Sequence, residues 1–183
     1  MGLLTFGLNV TLDGCIDHTQ GIVDDELHDY WTQLMDQSGA MLFGRNTYEL
    51  MEGAWPAVAR DEKAPRAMRE WALKLETKAK YVVSGSLERA EWNNSTIVRD
   101  DVIERVRALR EEQNLLVWGS PTLVQTLMDH GLVDEFVLLV SPIVRGEGIR
   151  LFRDAGSQHD LRIAESTVLG GGMLALRMTP ARA

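Results

Sequence analysis

From Asp24 onward the chain alternates between segments whose apolar residues recur at helical spacing and short runs that are apolar throughout. Leu27, Tyr30, Trp31, Leu34 and Met35 fall on one face of a helix over 24–37. Its first turn holds Asp24, Asp25 and Glu26, where the positive end of the helix dipole favours acids. Ala40 to Phe43 reads as a short strand ending at Gly44. A short helix from Asn46 to Glu52 should follow, closed by Gly53, with Trp55-Pro56 opening a loop. Pro65 suits the first turn of a helix over 64–76 with Met68, Trp71, Ala72 and Leu75 inward. Tyr81 to Ser84 and Thr96 to Val98 are strands, and Asp100 is the expected cap of a helix carrying Val102, Ile103, Val106 and Leu109. Leu115 to Trp118 is a buried-type strand that runs through Gly119-Ser120-Pro121-Thr122 into a helix with Leu123, Val124, Leu127 and Met128 inward, closed by Gly131.

The two ends read differently. Leu3 to Leu12 is a strand that stops at the turn signal Asp13-Gly14, with a polar loop to Val23. Glu135 to Val144 is β-rich and interrupted by Pro142, while Leu161 to Leu169 and Met173 to Met178 flank Gly170-Gly171-Gly172 as a hairpin. The pattern predicts one α/β domain over 1–183: a mixed sheet, mostly parallel, with an antiparallel C-terminal hairpin and helices on both faces.

Composition narrows the function. With 45% apolar and 25% charged residues the chain has the makeup of an ordinary globular protein, and its formal charge of -8 argues against nucleic acid as a partner. The charge is uneven: residues 1–52 hold nine acids and a single base, Arg45, whereas the other 131 residues balance. Cys15 is the only cysteine, so a disulfide within the chain and a thiolate zinc cluster are excluded by count. No run approaches the roughly 20 apolar residues of a membrane span, and the first residues lack a basic leader pattern. A cytoplasmic protein is expected.

Two junctions between strand and helix carry the candidate chemistry, Gly44-Arg45-Asn46-Thr47 and Gly119-Ser120-Pro121-Thr122. In each, a glycine lets the backbone approach a ligand closely and the following helix offers unpaired N–H groups and the positive end of its dipole. Open α/β sheets bind ligands at the carboxyl ends of their strands, where both junctions should lie. Arg45 adds a planar cation suited to phosphate, although Glu49 at i+4 could pair with it instead. His18, His28, His130 and His159 show no metal-ligand spacing, and no Walker A loop, GxGxxG or GxSxG is present. The acids Asp24, Asp25 and Glu26 could supply a proton or hold a cation, but helix capping explains them as well. Cys15 reads as a small packed residue.

Taken in order, Leu12-Asp13-Gly14, the run from Leu42 to Glu49, Tyr81 to Ser84, the run from Leu116 to Val124, Gly131 to Glu135 and Pro142 to Phe152 resemble the dihydrofolate reductase-like proteins of the riboflavin-biosynthesis reductase (RibD C-terminal domain) type. The resemblance implies a three-layer fold with an eight-stranded sheet, binding of NADPH, and hydride transfer to a small pyrimidine- or pterin-like or imine-bearing substrate. It implies cofactor contacts at Gly44, Arg45, Thr47, Gly119, Ser120 and Thr122, with Ser84 beside the adenosine end and the Asp13-Gly14 loop near nicotinamide and substrate. It also implies a homodimer. Ser84 is followed by Gly85, where relatives commonly carry a basic residue that helps to select a 2′-phosphate, so NADH stays open as the cofactor. Gly119 is followed by Ser120 rather than a second glycine. The zinc-deaminase signature of the bifunctional riboflavin enzymes is absent, so only their reductase half is matched. The resemblance puts a proton donor on the helix after the first loop, but Asp24, Asp25, Glu26 and Asp29 are not separable and none is assigned. Two alternatives stand beside the reductase: a non-catalytic nucleotide-binding or ligand-sensing protein on the same fold, and an unrelated α/β protein using the helix ends for another phosphate ligand.

Overall fold

Each residue of the strand β2 (Ala40–Gly44) is buried, and its side chains divide the core in two. Met41 and Phe43 point to one face of the sheet and Ala40 and Leu42 to the other, as the two-residue period of a strand requires. The computed structural model describes residues 1–16, 23–152 and 158–181. Around β2 it arranges β1 (Leu4–Thr11), β3 (Ala79–Val83), β4 (Ser95–Val98), β5 (Leu115–Val117), β6 (Glu135–Ser141), β7 (Leu161–Val168) and β8 (Leu174–Pro180). These form one eight-stranded sheet in the order β4-β3-β2-β5-β1-β6-β8-β7. The strands from β4 to β6 are mutually parallel, and β8 is antiparallel to both β6 and β7.

Helices cover both faces. On one side α1 (Asp25–Asp36), α2 (Arg45–Arg60) and α3 (Arg66–Thr77) bury Trp31, Leu34, Met35, Tyr48, Met51, Trp71 and Leu75 against Met41, Phe43, Val82 and Leu116. On the other, α4 (Val102–Glu112) and α5 (Pro121–Asp129) bury Val106, Leu109, Leu123, Val124 and Leu127 against Leu42, Leu115 and Val117. The expected eight-stranded mixed sheet with helices on both faces and a C-terminal antiparallel hairpin is therefore observed. The expected loop up to Val23 lies largely outside the described residues, at 17–22.

Three local expectations are corrected. The helix expected to stop at Gly53 continues as α2 to Arg60, straight through Trp55-Pro56. A glycine costs a helix interior about 1 kcal/mol and a proline about 3 kcal/mol. Burial opposes this cost: the Trp55 ring stands edge-on to Trp71 at 6.2 Å and to His28 at 6.0 Å, and Ala59 beyond it is buried. The helix α4 is capped in position by Asp101 rather than Asp100. Asp101 takes the left-handed conformation (φ 50) that the turn out of β4 demands and that Asp tolerates, and its side chain makes no capping bond. Pro65 precedes the first turn of α3 instead of lying in it.

The amino ends of β1 and β6 are tied together by Arg110 of α4, which is 4% exposed. Its guanidinium donates to the carbonyls of Gly2 (3.1 Å) and Leu132 (3.0 Å) and to the Asp134 carboxylate, which also accepts from the Leu4 amide at 2.8 Å. The opposite, carboxyl edge of the parallel strands is left to the loops that build the site.

Candidate functional site

Because β2, β5, β3 and β4 are parallel, Gly44, Gly119, Ser84 and Arg99 all emerge at the same edge of the sheet. Gly44 closes β2 and is also the N-cap of α2, with extended backbone and no side chain capping the helix; no acid stands in the first turn. The first amides of this 16-residue helix thus keep their positive ends open. The contrast with α1 is local: there Asp24 accepts from the Leu27 amide at 2.8 Å, and Asp25 and Glu26 fill the first turn.

The second junction docks onto the first. The Gly44 amide donates to the Gly119 carbonyl at 2.8 Å and the Trp118 amide to the Leu42 carbonyl at 3.1 Å. Gly119 has φ +100, a conformation that favours glycine, and its peptide to Ser120 is cis. Ser120 caps α5, its hydroxyl oxygen accepting from the Leu123 amide. A Cβ on Gly44 would lie 2.5 Å from Ser120 Oγ and 2.9 Å from Ser120 N, and one on Gly119 would lie 3.1 Å from Thr47 Oγ1. Only two glycines let the two helix ends meet this closely.

Over this contact opens a cleft of about 330 Å³ lined by Gly44, Arg45, Asn46, Val83, Val102, Ser120, Thr122, Leu123 and Thr126. Of the expected cofactor residues the structure brings Gly44, Arg45, Ser120 and Thr122 to one cleft, with Thr47 and Gly119 in contact beside it. Ser84 is buried next to the lining residue Val83, its hydroxyl oxygen accepting from the amides of Ser86 (3.2 Å) and Leu87 (2.9 Å). It shapes the turn after β3 rather than facing the cleft. Arg45 is exposed and, among the described residues, pairs with no carboxylate, Glu49 included. Val102 and Thr126 come from α4 and α5. Thr126 stands one turn after Thr122, the only trace of it in the sequence, and Val102 left none.

Asp13, at the carboxyl end of β1, has a different office. Its carboxylate accepts from the Thr11 hydroxyl at 2.6 Å and from the amides of Gly146 (2.9 Å) and Arg145 (3.2 Å), which hold it well below the usual carboxylate range. Arg150 donates to the Asp13 carbonyl and approaches its carboxylate at 4.0 Å. Together with Leu12 and Ile16 donating to the carbonyls of Ile143 and Ile149, these bonds latch the Asp13-Gly14 turn to the segment after β6. Cys15, 1% exposed, packs its thiol 3.2 Å from the Glu147 carbonyl, as a small packed residue would.

The acids of α1 are mostly committed. Asp24 caps the helix, Glu26 accepts from the Gly170 amide, and Asp29 pairs with Arg66 at 3.0 Å on the surface. His28 is the titratable side chain of α1 that is buried, with Nδ1 2.9 Å from the Asp24 carbonyl. No group of three or more His, Cys, Asp or Glu side chains arranged to hold a metal ion occurs among the described residues. Nor is any helix of theirs long and apolar enough to cross a membrane.

The model of the RibD C-terminal domain matches residues 3–175. The chain belongs to the RibD C-terminal domain family. Among its relatives is the uncharacterized protein YyaP of Bacillus subtilis (strain 168), 31% identical over a 173-residue alignment that covers 91% of this chain and 89% of that protein. Among solved structures, one described as a riboflavin biosynthesis protein of Shewanella sp. PV-4 superposes with a TM-score of 0.74 at 18% identity, covering 98% of this chain and 99% of that one. The diaminohydroxyphosphoribosylaminopyrimidine deaminase/5-amino-6-(5-phosphoribosylamino)uracil reductase of Thermotoga maritima gives 0.67 at 19% identity, covering 98% of this chain and 57% of that one. Dihydrofolate reductase of Enterococcus faecalis, solved with NADP(H), gives 0.62 at 12% identity, covering 99% and 98%. The dihydrofolate reductase-like fold of this RibD C-terminal domain is thereby shared with proteins of very different sequence.

Proposed function

We propose that this RibD C-terminal domain protein is an NADPH-dependent reductase that transfers hydride to a small heteroaromatic or imine-bearing substrate. The observation that carries the reading is the open N-terminus of α2 beside Arg45, which pairs with no carboxylate among the described residues, set against a second helix end at Ser120. The residues fit a dinucleotide diphosphate. Without a Cβ, Gly44 lets Ser120 close against it, so the two helix ends converge on one cleft, and Arg45 and Thr122 add side-chain donors there. Thr47 and Gly119 hold the two helix ends in register. The nicotinamide group, when bound, supplies the hydride; the chain positions it, excludes water and anchors its charge. The Thermotoga and Enterococcus proteins, by their names, make an aminopyrimidine of the riboflavin route and dihydrofolate the first substrates to test. As in the resemblance, a homodimer is expected.

One observation favours the second reading, a nucleotide-binding sensor without turnover: Asp24, Glu26 and Asp29 of α1 are each engaged in a structural contact. The experiment that separates the two is NADPH consumption with dihydrofolate, the aminopyrimidine and a panel of imines and carbonyls. The reductase consumes NADPH with at least one of them. Saturable NADPH binding with silence across the panel would replace the reductase with the sensor.

A further inference from the structure

The cleft at Gly44 lies on one side of β5, and a second opening lies on the other. The chain leaving β5 turns into α5 on one face of the sheet, whereas the chains leaving its two neighbours, β2 and β1, turn into α2 and α1 on the opposite face. Parallel strands whose chains part to opposite faces leave a crevice at their carboxyl ends, the place where open α/β sheets take ligands. Between β2 and β5 this crevice is the cleft already described. Between β5 and β1 it begins where their pairing stops, at Phe6 and Val117, while β1 stays paired with β6 as far as Thr11. Asn9 stands in the stretch of β1 that has lost its β5 neighbour, two strands and roughly 10 Å from β2.

The Asn9 amide is fixed by what surrounds it. Its Oδ1 accepts from the Trp31 Nε1–H at 2.9 Å. An indole nitrogen only donates, so the carbonyl end of the amide faces Trp31 and the NH2 end faces away. Trp31 itself is held in place: the ring is 2% exposed, stands edge-on to Trp118 with centroids 4.3 Å apart, and rests on β1 where a Cβ on Gly7 would come within 2.9 Å of Cζ3. Among the described residues nothing accepts from Asn9 Nδ2, and Asn9 is partly exposed. The crevice thus carries two oriented N–H donors beside the packed rings of Trp31 and Trp118.

These donors lie on the other face of the sheet from the cofactor cleft. Val83, Val102, Leu123 and Thr126 give that cleft its α4 and α5 side, whereas Asn9 meets Trp31 on the α1 side. We propose that Asn9 determines substrate specificity, its amide donating to a carbonyl oxygen of the substrate, so that the ring taken up on the α1 side carries an oxo group rather than an amino group at the contacted position. The inference rests on the reductase reading given above and deepens it by naming a group the substrate must carry. An amide whose own oxygen is engaged can only donate. It pairs with a carbonyl and opposes an amino group, and a partly buried donor left unpaired by the wrong ligand is costly. Trp31 is a positioning residue, since without its N–H the amide is free to turn and accept instead.

The test reads the Trp31 indole N–H by nuclear magnetic resonance, its signal identified by its loss in Trp31→Phe. Isotope-labelled protein, with and without NADPH, is titrated with uracil and with 2,4-diaminopyrimidine in its neutral form, which puts amino groups where uracil has carbonyls. Uracil should shift the Trp31 signal saturably and bind about threefold to tenfold tighter than the diamino ring. Asn9→Asp keeps an acceptor for Trp31 and removes both donors, so it should abolish or reverse that preference while NADPH binds as before. Asn9→Leu, similar in volume, should abolish it without a buried charge, and Trp31→Phe, which keeps a packed ring, should erase most of it. Equal affinities for the two rings, a Trp31 signal that neither moves, or a preference that survives both Asn9 variants would overturn the proposal, and NADPH binding would still leave the cofactor reading standing. Weaker NADPH binding in both Asn9 variants with the preference intact would assign the donors to the cofactor and overturn it as well. A wild type that takes uracil through Asn9 but binds no NADPH would keep Asn9 as a carbonyl-binding residue and overturn the reductase reading alone.

Discussion

Gly44 and Ser120, the last residue of β2 and the cap of α5, approach until a Cβ on Gly44 would stand 2.5 Å from the Ser120 hydroxyl oxygen. The backbone amide of Ser120 would lie 2.9 Å away and cannot swing aside as a side chain can. Gly44→Ala must therefore push two helix ends apart, a strain expected to cost about 1–3 kcal/mol. Gly53 in α2, where a Cβ meets nothing within 4 Å, provides the contrast. Gly53→Ala should stabilise by up to about 1 kcal/mol through helix propensity. Urea denaturation of both variants checks the opposite signs, and a neutral Gly44→Ala would show that the junction is looser than described.

Arg110→Ala removes the buried cation that joins Gly2, Leu132 and Asp134. Breaking this partly buried pair leaves the Asp134 carboxylate, 29% exposed, without its counter-charge and should cost about 1.5–3 kcal/mol. The urea midpoint should fall accordingly. Because the network lies at the amino ends of β1 and β6, any variant that remains folded should keep its cofactor affinity.

Asp13 gives a pH signature. Its carboxyl is held below the ordinary value of 3.8 by the Thr11 hydroxyl first, then by the Gly146 and Arg145 amides. A depressed folded value means that the contribution to stability is complete above the unfolded value and is lost as pH falls through the folded one. The stability difference between wild type and Asp13→Asn should be level from neutral pH down to about pH 5 and shrink below about pH 4. Denaturation midpoints measured across that range check it. A difference that instead vanished near neutral pH would contradict the latch.

What could be read from the sequence was local. Each glycine turn running into a helix is written in neighbouring residues, so Gly44, Arg45, Ser120 and Thr122 could be named as parts of two candidate junctions for phosphate. That the two junctions line one cleft follows from β2 pairing with β5, residues 75 positions apart. The same limit hid the rest. The latch of Asp13 reaches Gly146, and Arg99 reaches back to Gly85; both are side-chain to backbone contacts with no periodic signature. The length of α2 is not legible locally because Gly53 and Pro56 are signals to stop, whereas Trp71 and His28, which pack against Trp55, lie on other elements. Ser84 follows the lining residue Val83, but its hydroxyl is spent on the turn that Arg99 covers.

In the function proposed above, the open end of α2 and Arg45 hold a cofactor phosphate. Trp118 directly precedes Gly119 and lies 4.3 Å from Trp31 between ring centroids, so a ligand on the junction should perturb the fluorescence of this cluster. Titration with NADPH should give saturable quenching, and Arg45→Ala, with folding intact, should weaken it about tenfold or more. Absence of saturable binding in the wild type, or an Arg45→Ala variant that binds NADPH as tightly as the wild type, would contradict the account.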